Sequence, residues 1–426
     1  MKYLKAFSLF ESASPLTRAQ KNFLNRGTKG GGGTWSLNPE TGLIDVQGDF
    51  NVKKTTMTTL PVSFGTVTGS FIFEEHKTNF ISLKGSPIEV GGTFKCSYNK
   101  LTSLEGAPQK VGKSFYCHNN SISSLEGAPQ KVGWSFDCHN NLLTSLEGAP
   151  QKVGVDFHCY SNSLTSLVGG PQEVGETFYC SDNDLTSLEG SPRKIGKGFD
   201  CERNKLTSLK GGPQEVGKHY YARNNQLSSL EGAPQEVGWN FVCSRNELTS
   251  LEGAPRKIGG SFDCTGNKLT SLKGGPQEVV FNYICPENEL TSLEGSPPKI
   301  GGDFTCSYNK LTSLKGGPQE VGGNFVCYKN PIESLDGIPL IIGYYFSWGS
   351  NADIKWNING WLEGLKIDPN LFGPLILNRS SDMDPKYLTP EVMAALRKNS
   401  PDSFDGVFRR LGDGASTLAD LGELGF

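Results

Sequence analysis

The chain has 426 residues, and its 41 basic against 44 acidic side chains give a net charge of −3, which makes no electrostatic case for a nucleic acid or an anionic membrane surface as partner. Gly (53) and Pro (24) are abundant, so the backbone turns often, and 11 Cys is an odd number for a closed set of disulfides. No stretch approaches the roughly 18 uninterrupted apolar residues of a membrane span, and Lys5 breaks the short apolar opening, so neither a transmembrane helix nor a secretion signal is expected.

Residues 1–34 read as an N-terminal helical segment followed by a Gly-rich linker. Met1 to Glu11 is amphipathic. A helix is expected next, with Ser14 as N-cap, Pro15 in its first turn and Gly27 at its stop, before the linker Gly30-Gly31-Gly32-Gly33.

Residues 35–351 are dominated by one repeat. The cysteines run from Cys96 and Cys117 to Cys306 and Cys327 in steps of 21, with one step of 42 filled by Ala222. Thirteen prolines from Pro87 to Pro339 and thirteen asparagines from Asn99 to Asn351 keep the same step. One unit reads Phe-x-Cys-x-x-Asn-x-Leu-Thr-Ser-Leu-x-Gly-x-Pro-x-x-Val-Gly-x-x, and a fixed period of this length means a solenoid. Two degenerate coils come first, around Phe50 and Phe71, and the step of 23 from Phe71 to Phe94 places a two-residue insertion near Glu74 to Asn79.

Stacked coils put each residue about 4.8 Å from its counterparts above and below, so every position must tolerate its own copy as neighbour. Phe, Cys, the two Leu and Val or Ile are expected to point inward as one apolar column. The Asn amide, with two donors and an acceptor, suits the turn backbone within and between coils. The Gly positions beside Pro and after Val supply tight or positive-φ corners. Only six residues separate Leu104 from Val111, which leaves no room for a helix on the outer side. On charge, Glu105 is expected to sit opposite Lys110, and Lys210 opposite Glu215, within single coils.

Residues 352–426 leave the repeat and are read as an α-containing C-terminal cap, with helices expected from Thr389 and from Ser416 to Leu424. The tail has neither Cys nor His, which argues against a catalytic domain there.

Units such as Phe262 to Val279 resemble leucine-rich repeats, the short Pro-containing form resembles bacterial effector-type repeats, and LTSLEGAPQKVG beside Phe-x-Cys is closer still to repeat proteins of tailed bacteriophages and some bacteria. The resemblance implies a mainly β, right-handed leucine-rich-repeat-like solenoid of about 15 coils, helix-free outside, with small α-containing caps at both ends. It also implies a recognition scaffold rather than an enzyme. Met1 to Glu11 resembles the leader that sends internal proteins into the prohead of contractile-tailed phages, with Leu9-Phe10-Glu11 as the triplet and cleavage after Glu11. A plain docking helix is the other reading of that segment.

The repeats disagree on the outward face of the Phe-x-Cys strand, where partners bind in leucine-rich repeats. Tyr116, His118, Trp134, His139, His158, Tyr160, Tyr179, Tyr221 and Trp239 are the candidate anchors there. His118 and His139 share one column, but no carboxylate or thiolate at fixed spacing completes a metal site, and neither metal nor other cofactor is expected. The Cys column reads as buried reduced thiols. No P-loop, nucleophile elbow or paired acid constellation stands outside the repeat, so no catalytic residue is expected. The expected function is therefore a non-enzymatic repeat scaffold for protein–protein interaction, a phage-encoded, virion-associated structural or accessory protein placed in the phage virion or the host cytoplasm. A glycan- or receptor-binding adhesin and an enzyme active in the tail are the alternatives.

Overall fold

The computed structural model describes residues 16–52, 57–73, 79–333, 336–339, 341–344 and 346–347. The chain divides into two compact units, one of Met1–Leu206 with Lys210–Gly217 and one of Thr207–Leu209 with Lys218–Phe426. The expected leader cleavage at Glu11 and the helices expected in 352–426 lie outside the described residues. No helix among the described residues is long and apolar enough to cross a membrane.

The first unit opens on the helix Arg18–Gly31. Its cap is Thr17 rather than Ser14. The Thr17 hydroxyl accepts from the Gln20 amide at 3.2 Å while the Gln20 side chain accepts from the Thr17 amide at 2.9 Å, a reciprocal box that fixes the start. The helix also runs through Gly27 instead of stopping there. The Phe50 ring lies against Gly27, in the space a Cβ would need, so this glycine answers a packing demand. The expected linker is in fact the last helical turn and its left-handed cap at Gly32, which bridges to Asp49. Phe23 and Leu24 are buried, with the Phe23 ring 5.5 Å from that of Phe50, so the helix closes the first coil. The antiparallel pair Thr34–Leu37 and Ile44–Gln47 then leads into the repeats.

Each regular coil contributes two short strands, one ending on Val, as in Lys110–Val111, and one starting on Phe, as in Phe115–Tyr116. Copies pair in parallel and in register, Val111 with Val132 and Phe115 with Phe136. Phe94, Phe115 and Phe136 stack at 5.3 and 5.2 Å, and the Phe, Cys, Leu and Val columns are buried. Phe71 pairs with Phe94, yet buried Phe80 already stands 21 residues before Leu101, so the two extra residues fall between Phe73 and Phe80.

The asparagine column ties coils together. Asn120 Nδ2 donates to Cys117 O in its own coil and to Cys96 O in the coil before, while its Oδ1 accepts from the Leu101 amide of that earlier coil. Every bond is between groups that burial would otherwise leave unsatisfied. The residue before each Asn sits in the left-handed region, as Asn119 does at φ 55°. The corner glycines divide into two kinds: Gly106 has φ 86°, whereas Gly112 lies so close to Gly91 O that no side chain fits. The charge pairs join successive coils in one column, Lys110 with Glu89, Lys152 with Glu173 and Lys194 with Glu215, rather than spanning one coil as expected. Side chains in one column lie at strand spacing and find each other first.

The second unit repeats the plan from Tyr220–Tyr221 to Phe346–Ser347 and from Glu236–Val237 to Ile341–Ile342. Ala222 holds the cysteine position fully buried, and Tyr220 and Tyr283 take the phenylalanine position. The described residues make a parallel, leucine-rich-repeat-like β-solenoid of about 14 turns with a 21-residue period and almost no helix.

Candidate partner-binding face

Because strand residues alternate, burying Phe115 and Cys117 turns Tyr116 and His118 outward. Register then stacks unlike residues into outward columns. In the first unit one column runs His118, His139, Tyr160, with ring centroids 4.4 and 4.3 Å apart and planes within 11° of parallel. Tyr98, which shares the register position of Asn119, meets the end of this column edge-on, 5.2 Å from His118. The neighbouring column runs Tyr116, Asp137, His158, Tyr179, with His158 stacked on Tyr179 at 4.7 Å. Tyr116 meets His118 edge-on at 6.2 Å, and His158 meets Tyr160 at 6.1 Å. Trp134 stands at the margin, 52% exposed, with Lys113 Nζ 5.0 Å from its ring.

Seven of the nine candidate anchors thus fall on this stretch of the first unit, six of them in ring contact with one another. Tyr221 and Trp239 belong to a separate group within the second unit. There Tyr221 Oη lies 3.0 Å from His219 Nδ1, and the Trp239 ring approaches His219 at 6.5 Å and Phe281 at 5.2 Å.

Asn119, Tyr98 and Phe281 are parts of these groups that sequence reasoning passed over, and Asp137, legible in the sequence as an outward residue of the same strand face, is there the partner of the histidines. Asp137 joins the histidines by hydrogen bonding: its Oδ1 accepts from His139 Nδ1 at 2.6 Å, and its Oδ2 is 4.0 Å from His118 Nε2. Burial alone would raise this carboxyl, but the His139 hydrogen bond and the charges of His139, His118 and His158 hold it below its ordinary value. Burial also pushes His158 down, against the opposing pull of Asp137 and Asp156. Two coils beyond His158, burial pushes Asp200 up to about 6, aided by the charges of Glu202 and Asp182.

The rings of His118 and His139 are parallel, so their nitrogen lone pairs run side by side instead of converging. Among the described residues no three His, Cys, Asp or Glu side chains form a group that could hold a metal ion. The eleven thiols form no disulfides and are buried, and burial raises those of Cys117, Cys138 and Cys159 well above their ordinary value. Several donate to a carbonyl of the next coil, as Cys138 does to His158 O at 3.3 Å. Such thiols are packing groups, poorly suited to nucleophilic chemistry.

No family model matches the chain, and no curated protein matches it. Similar solved structures include YopM from Yersinia enterocolitica WA-314, 19% identical with a TM-score of 0.46, covering 70% of this chain and 75% of that one. Another is YopM, a leucine-rich effector protein from Yersinia pestis, at 18% identity and 0.45, covering 70% and 88%. A third is the APL1 leucine-rich repeat domain, at 15% and 0.41, covering 64% and 79%.

Proposed function

We propose that the chain is a non-enzymatic repeat scaffold that binds a protein partner through the outward strand face of the first unit, and that it is phage-encoded and associated with the virion. The observation that carries the binding role is the pair of outward ring columns around His118, His139, Tyr160, His158 and Tyr179. Aromatic rings locked by their neighbours lose little side-chain entropy on contact, which is what interface anchors require. The repeat wording and the Met1 to Glu11 pattern support the phage setting.

A photo-reactive phenylalanine analogue placed at Tyr116 or at Tyr179 tests the face. Cross-linking to one protein partner from these positions, and none from Gln130 outside the face, is the expected result. Adducts only from Gln130 would overturn the assignment, and carbohydrate adducts would favour an adhesin. Mass spectrometry of purified particles tests the setting: the chain should be present, with an N-terminus beginning after Glu11.

A further inference from the structure

His118 and His139 are joined through two shared side chains. Asn119 Nδ2 lies 2.9 Å from His118 Nδ1 and 3.4 Å from His139 Nε2. An amide nitrogen only donates, so both of those ring nitrogens accept and carry no proton. The proton of His139 is then on Nδ1, donated to Asp137, and that of His118 is on Nε2, facing the same carboxylate. Asn119 Oδ1 accepts from Asn140 Nδ2, which extends the network one coil further. Both imidazoles are neutral in this pattern.

Proton uptake from solvent on either ring turns the acceptor facing Asn119 into a donor. Asn119 must then present its oxygen to the rings and its amide to Asn140, which turns in its own right. The network therefore has two self-consistent patterns, and buried Asp137 supports the charged rings in the second. Lys95, Tyr116, Asp156, His158, Tyr160 and Tyr179 surround it on the adjoining coils. Beyond them lie Asp182, Asp200 and Glu202, with Arg203 paired to Asp182. Near neutral pH the five carboxylates Asp137, Asp156, Asp182, Asp200 and Glu202 outnumber Lys95, Arg203 and the marginal Lys113 on this face. In acid, protonation of His118 and His139 adds positive charge beside them, while burial disfavours the charged form of His158.

We propose that this face is a proton-gated dock for a cationic segment of the partner, with the His118, Asn119, His139 and Asp137 network as the gate. The proposal rests on the reading of the face given above. The probe is a fluorescein-labelled oligolysine peptide, titrated against the full chain at about pH 7.5 and about pH 5.5, which span the histidine range. Affinity should fall about tenfold or more on acidification, and substituting His118→Asn with His139→Asn should largely remove that fall. In the unsubstituted chain, the ring Cε1–H resonances of His118 and His139 should titrate together with the Asn119 side-chain amide.

Equal oligolysine binding at the two pH values, no binding at either, or an acid loss unchanged in the double variant would overturn the proposal. So would independent titration of the two rings with no response at Asn119. Cross-links from Tyr116 or Tyr179 alongside an indifferent oligolysine would sink the gate and leave the binding face standing. Cross-links only from Gln130 would remove the face itself.

Discussion

The two units share a core and differ in what that core displays. Behind both strand faces run the same Phe, Cys, Leu and Asn columns, buried alike. In front, the first unit shows Tyr116, Asp137, His158, Tyr179 and Asp200, rings and titratable groups, whereas the second, after Tyr221, shows Val242, Asp263, Ile284, Thr305 and Val326, mostly β-branched. One ladder chemistry therefore supports either surface. The columns that set the fold place almost no demand on the outward position, which is free to specialise.

The largest expected effect tests whether the ladder is common to both. Asn141→Ala in the first unit strips partners from the Ile122 amide and from Cys117 O and Cys138 O, and Asn267→Ala in the second does the same to Leu248, Cys243 and Cys264. Each should cost about 3–5 kcal/mol in denaturant unfolding, and the two should agree within about 1 kcal/mol. A wide disagreement would mean that the cores only look alike.

One outward column offers a test with opposite signs. The folded Asp200 carboxyl, at about 6, holds a proton that the unfolded chain has already lost, so its contribution to stability falls as pH rises from about 4 to about 6. Asp200→Asn should therefore raise neutral-pH stability by up to about 3 kcal/mol and flatten that part of the pH profile. Asp263 in the second unit accepts from the Thr265 amide at 2.9 Å and hydroxyl at 2.5 Å, and Asp263→Asn should instead cost about 1 kcal/mol.

Smaller effects follow at a corner. A Cβ added at Gly275 would stand 3.1 Å from Tyr283 Oη, while first-unit coils carry Ala149 with Phe157. Gly275→Ala should cost about 1–2 kcal/mol, and adding Tyr283→Phe should recover only the share owed to the hydroxyl in a double-mutant cycle, because Leu272 O at 2.9 Å and Leu251 Cδ1 at 3.0 Å still crowd the added carbon. At the bottom of the scale, breaking the exposed pairs Lys152 with Glu173 or Lys257 with Glu278 should leave the unfolding midpoint unmoved in either unit.

Period, core columns and asparagine bonding were legible in the sequence because each is repeated a dozen times under one constraint. The left-handed residue before Asn was harder to see: Asn119, Asn140, Asn224 and Gly266 hint at it, but Tyr98, Arg203 and Lys329 occupy the same conformation. Repeated stacking evidently holds the turn whatever the side chain. The helix start was misplaced because Ser14-Pro15 is a familiar opening, while Thr17 and Gln20 carry the bonds. Asp137 was legible as an outward residue but not as the carboxylate shared by two histidines, because His139 stands two residues on in its own coil while His118 is reached only across the register.

The asparagine column also has a direction. Each Asn completes the coil before its own, as Asn246 does for Leu227 and Ala222 O, and Asn309 for Leu290 and Cys285 O. A coil is thus closed only when about one more repeat has been made, and never needs chain further away. Synthesis delivers those repeats in that order, behind an N-terminal helix that supplies the first template. Assembly can then follow the ribosome coil by coil, with only a short unfinished tip exposed at any moment, however long the array grows.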